Sequence, residues 1–224
     1  GVLGLDISGT ADIGASITTT ATQNYVGAVA ISAGGPVTLD STGNNAITFN
    51  STVASTGSAR ALTLDAGSAE VKFANTVGAV GGQAMGAIVI TGSLNADNTI
   101  TAASMTVSGV SDLVGTVITS GIQTYTGAVT LASAGTENRI DASLATFTGG
   151  IVGGGNDLDL NGNISTGAAI TGVAELNVSG TSSIGGSITT TDVQTYVGAV
   201  TLTAGVTLDA GTCLLYTSPS PRDS

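Results

Sequence analysis

The chain alternates apolar and polar residues over short runs, and Gly, Asn, Asp and Ser cluster between the runs. In residues 23–31, QNYVGAVAI, the side chains of Tyr25, Gly27, Val29 and Ile31 fall on one side of an extended backbone. Asn24, Val26, Ala28 and Ala30 fall on the other. Successive strand side chains point to opposite faces, so this period of two predicts a half-buried strand with the Tyr25 side inward. Apolar doublets of the same spacing recur at Val37/Leu39, Ile47/Phe49, Leu62/Leu64, Val71/Phe73, Ile88/Ile90, Leu158/Leu160 and Val206/Leu208. Many short strands between frequent turns fit a sandwich, a barrel or a β-helix.

A longer repeat narrows the choice. Residues 5–31, 105–131 and 176–202 align over 27 positions without a gap, and the first and third share 17 of them. Each contains one version of a phrase: QNYVGAVAI, QTYTGAVTL (residues 123–131) and QTYVGAVTL (residues 194–202). Self-similarity on this scale marks a stacked array. The repeat, the small side chains and the scarcity of aromatics favour an all-β, right-handed parallel β-helix. The alternative is a set of tandem β-sandwich repeats, which would carry bulkier aromatic cores. At about 20 residues per rung and about 4.8 Å between rungs, residues 1–212 predict about ten rungs in a rod of about 50 Å. The phrase is expected to be one rung's strand, with Gly198 leaving room beside Tyr196. A buried hydroxyl needs a partner, so the tyrosine is expected at a corner with its tip in water.

Composition agrees with an all-β chain. Only 8% of residues are charged, Glu occurs three times and Lys once, so a helix would lack the long charged side chains of a wet face. The net charge of −11 and the isolated Arg60, Lys72 and Arg139 exclude the clustered basic surface that nucleic acid requires. No apolar run is long enough for a spanning helix. With 3% aromatics and no Trp, the aromatic girdles of a membrane barrel are missing too. Composition shifts at residue 213. CLLYTSPSPRDS (213–224) holds the single Cys and two of the three Pro, and resembles the translation of a transposase sequencing adapter. Residues 213–224 are therefore set apart from the repeat segment 1–212, which is expected to belong to a larger protein.

Little in the sequence promises chemistry. With no His, and no Cys before residue 213, triads, thiol chemistry and His-based metal sites are excluded from the repeat segment. No catalytic residue and no cofactor is expected. The densest acidic pair, Asp157 and Asp159 in GGGNDLDLNG, projects to one side of a strand and is a weak calcium or paired-carboxylate candidate. Turn-capping carboxylates beside Leu158 and Leu160 are the plainer account. The same segment departs from the calcium-binding nonapeptide, with Asn156 at a Gly position and Leu158 at the Asp position. Asp40, Asp65 and Asp209 each follow a strand doublet and are expected to cap turns. A stacked Asp row holding Ca²⁺ is the sharper reading. SITTT (residues 16–20 and 187–191) suggests a Thr ladder for ice, but the intervals vary and the second unit reads TVITS (residues 116–120).

Together, SITTT followed by QTYVGAVTL, with LNVSG and TLDAG, resemble the repeats of large bacterial surface proteins of the filamentous haemagglutinin and autotransporter-passenger type. The resemblance covers residues 1–212 in repeat style and carries no binding residue. It implies a β-helical stalk, exported to the cell surface or medium, that is not an enzyme. Through the full-length protein it would meet a host or neighbouring cell surface, extracellular matrix or polysaccharide. A β-helical polysaccharide-active enzyme and an ice-binding solenoid are the rival expectations.

Overall fold

A computed structural model describes residues 2–78, 83–132 and 138–216. These residues contain no helix, so no helix is long and apolar enough to cross a membrane. Every strand pairing is parallel, and the strands stack as a β-solenoid of about 11 turns. Tandem sandwiches are thereby ruled out.

Three ladders form three faces. Face I runs from Leu5–Ile7 through Gln23–Tyr25 and Ile47–Phe49 up to Leu208–Ala210. Face II runs from Ala11–Ile13 through Val29–Ile31 up to Leu214–Tyr216. Face III runs from Ile17–Thr19 through Val37–Ser41 up to Val200–Leu202. Longer strands such as Leu62–Phe73 and Asn138–Phe147 turn a corner and serve two faces. The last strand, Leu214–Tyr216, pairs with Gln194–Tyr196 and so extends the ladder past residue 212. Most of the segment read as adapter-derived, residues 217–224, lies outside the described residues.

The local period is six. In the first unit, strands begin at Leu5, Ala11, Ile17, Gln23 and Val29. Each three-residue strand points its first and third side chains inward, and a three-residue corner follows. Three such hexads close a rung of 18 residues, as in Leu5↔Gln23. The 27-residue unit is therefore one and a half rungs. This corrects the reading of the phrase as one strand: Gln194–Tyr196 lies on face II and Val200–Leu202 on face III. Nor do the three units stack on one another. They begin on faces I, III and II respectively, with Leu5 on face I, Met105 on face III and Leu176 on face II.

Inside, the aromatic residues form short stacks in register. Tyr25, Phe49 and Phe73 occupy successive rungs in register, with ring centroids 5.0 and 5.3 Å apart. Tyr125 stacks on Phe147 at 5.3 Å with rings 3° from parallel. Stacking of this kind contributes about 1 kcal/mol beyond burial. The few aromatics are thus concentrated in the core: all three Phe and Tyr25, Tyr125 and Tyr196 are buried.

Glycines sit where two corners touch. A Cβ on Gly27 would lie 2.3 Å from the Gly9 carbonyl oxygen, and one on Gly198 would lie 2.3 Å from that of Gly180. Gly198 therefore makes room for the corner beneath it, not for Tyr196 as the sequence suggested.

Among the described residues, apolar side chains are exposed at both ends of the solenoid. Leu3 is 79% exposed at one end, and Leu202, Leu214 and Leu215 are exposed at the other, around the apolar rim of Tyr196, Val200 and Leu208. Unpaired edges template further pairing. The purified chain is expected to associate end to end and to give a polydisperse light-scattering profile that grows with concentration. A monodisperse monomer would contradict this.

Candidate functional site

The repeated phrase encodes a buried corner network that occurs three times. Gln23, Gln123 and Gln194 are each 0% exposed. Their Nε2 groups donate to the backbone carbonyls of Asp40, Asp141 and Asp209 on the next rung, at 2.9, 2.8 and 2.7 Å. They also donate to Thr19, Thr119 and Thr190 Oγ1, at 3.3, 3.2 and 3.3 Å. Each Gln Oε1 accepts the hydroxyl of the tyrosine two residues on, at 2.8, 2.8 and 3.0 Å. Each threonine donates in turn to a corner carbonyl, Ala21, Gly121 or Asp192. Every polar atom of the Gln amide is thus used inside the core.

The network corrects the expectation of a wet tyrosine tip. The partner is the Gln at i−2, so the phenol is dry. Sequence reading missed Thr19, Thr119 and Thr190, and missed Gln as an inward residue. The signal was there: Thr-x-x-x-Gln-x-Tyr recurs unchanged in all three units.

Burial raises the phenol pKa of all three tyrosines above the ordinary 10.0. The unfolded chain releases these protons near pH 10 and the folded chain holds them. The stabilisation is therefore complete below about pH 10 and is lost as pH rises above it. Far-UV circular dichroism and tyrosinate absorbance are expected to change together in one alkaline transition. Tyrosinate from these three residues near pH 10 with the β signal intact would contradict the buried network.

The acidic candidates take separate places. Asp157 Oδ1 accepts the Glu175 backbone N–H at 3.1 Å, a capping role. Asp159 stands outward on face II, in register with Arg139 and Asn177. Asp40 and Asp65 are neighbours on face III, but Asp209 is on face I, so the three form no row. Asp65 Oδ1 caps the Gly67 N–H at 3.0 Å. Among the described residues, no three acidic, His or Cys side chains converge as metal ligands. Arg139 donates through Nε to Asp141 at 2.7 Å.

SITTT does not form a ladder either. Thr18 lies on face III, Ile118 on face II and Thr189 on face I. A ladder exists elsewhere, built from the central residues of the face III strands. Thr38, Thr63, Val89, Thr106, Thr124, Thr146, Ser165, Ser183 and Thr201 are Cα partners on consecutive rungs. Eight of the nine are hydroxyl side chains, pointing outward between inward neighbours that are mostly apolar, with Gln123, Thr166 and Ser182 the polar exceptions. Beside them runs a mixed file that includes Ala87, Ser104, Ile122, Leu144 and Asn163. A shallow open groove separates the two files where Leu144, Asn163, Thr181 and Ala199 face Ser165, Ser183 and Thr201. From Val89 upward, the described part of face III carries no charged side chain. Faces I and II hold Lys72, Asp112, Arg139, Asp141, Asp159 and Asp209. No family model matches the chain, and no curated protein or solved structure matches it.

Proposed function

We propose that the chain is a stalk segment of a large secreted or surface-exposed bacterial adhesin. What carries this reading is the parallel stacking of about 11 turns around one apolar core, which makes a rod from a chain with only 8% charged residues. At about 4.8 Å per turn the rod adds about 50 Å of reach. The likeness of its repeats to filamentous haemagglutinin and autotransporter passengers supports an extracellular location and an export route across an outer membrane. Its service is distance: it carries an adhesive region away from the cell toward a host cell, a neighbouring cell, matrix or polysaccharide. Calcium and catalysis have no part in this reading.

The test is display. The chain is placed between an outer-membrane anchor and an epitope on a Gram-negative cell. The expected result is a protease-resistant segment that sets the epitope about 50 Å further from the membrane. A segment degraded on the cell surface, or a purified chain that releases reducing ends from polysaccharide, would overturn it in favour of another role.

A further inference from the structure

We infer that face III is an ice-binding surface. Ladder partners lie 17 residues apart in sequence between Val89 and Thr106 and 26 apart between Thr63 and Val89. The SITTT segments form no ladder, as their variable intervals suggested, but other hydroxyls do, because added residues are taken up away from the pairing register. Regular hydroxyls result from an irregular sequence.

Four observations favour the ordered lattice of ice as the occupant. The ladder fixes hydroxyls on eight of nine rungs, with Val89 the one interruption, at one repeat of about 4.8 Å set by hydrogen-bonded parallel strands. Neighbouring hydroxyl and methyl groups at a fixed spacing hold water in a fixed array, so the entropy of ordering that water is partly paid by the rigid sheet. The groove beside the upper rungs of the ladder is lined by Leu144, Asn163, Thr181 and Ala199, holds no charged side chain and leaves room for water. Charge, which would disrupt a lattice of neutral water, is confined to the other two faces above Asp65. A polysaccharide surface is the competing occupant. Sugar rings are held by exposed aromatic platforms, and every described Phe and the Tyr25, Tyr125 and Tyr196 rings are buried. The inference rests on face III alone and is independent of the stalk reading.

The test measures thermal hysteresis and inhibition of ice recrystallisation with the purified chain and three variants. Thr124→Lys and Thr201→Lys alter the ladder. Thr130→Lys makes the same change on face I, where Thr130 is partnered by Asp112 and Val152. Circular dichroism confirms the fold of each. The parent chain and Thr130→Lys are expected to shape ice equally, and both ladder variants to lose at least about tenfold. Should Thr124→Lys fail to fold, Thr201→Lys on the exposed last rung decides. An inactive parent chain, an equal loss in Thr130→Lys, or retention on crystalline cellulose or chitin without ice activity would overturn the inference.

Discussion

Gln123→Leu is expected to lower stability by about 3 kcal/mol. Leucine fills the space but leaves the Tyr125 hydroxyl without an acceptor and the Asp141 carbonyl with only the long 3.4 Å bond from Thr119 among its side-chain donors. The phenol stays buried, so it retains its desolvation cost without compensation. The double variant Gln123→Leu/Tyr125→Phe removes the orphaned hydroxyl along with the amide. It is expected to recover about 1–2 kcal/mol of the loss, since replacing both partners with apolar groups costs far less than replacing one. Urea midpoints of the two single variants and the double variant check this. A double variant whose loss equals the sum of the two single losses would mean that Gln123 and Tyr125 act separately.

Gly127→Val is expected to cost at least about 3 kcal/mol and to disrupt the chain around it. Its Cβ would lie 2.4 Å from the carbonyl of Gly109, and Gly149 packs on Gly127 from the rung above in the same way. These contacts are with backbone, which cannot rotate away. The stacked corners at Gly109, Gly127 and Gly149 must shift, and the strands that flank them with it. Gly34→Val is the matched control: an added Cβ there meets nothing within 4 Å. It is expected to leave the urea midpoint unchanged. Equal losses in the two variants would show that chain entropy of glycine, rather than corner contact, sets the effect.

The strands were legible because the inward side chains obey a period of two, and Tyr25, Val29 and Ile31 point inward as the alternation requires. The stacking of rungs was legible because the phrase recurs. The faces were not. Three hexads make a turn, but insertions lengthen many turns, so the eighteen-residue period shows only between rungs such as Leu5↔Gln23 and Ser111↔Val129. Identical words therefore land on different faces, and a ladder such as Thr124↔Thr146 joins residues whose surrounding sequences differ. The Gln–Tyr bond was hidden for another reason. Gln is a polar residue in an apolar file, and its inward direction depends on a carbonyl from the next rung, which local pattern does not show. Asp40 and Asp209 drew attention as carboxylates, yet their backbone carbonyls serve the core.

Electron spin resonance distances measure the register of the three faces. Cys213 is replaced by Ser, and spin labels are placed in pairs on face III at Thr38/Thr201, Thr63/Thr201 and Thr106/Thr201. These pairs are eight, seven and five ladder steps apart. Distances of about 38, 34 and 24 Å are expected, falling by about 4.8 Å per step. Distances that do not fall in proportion to the ladder steps, or that follow sequence separation instead, would contradict that register.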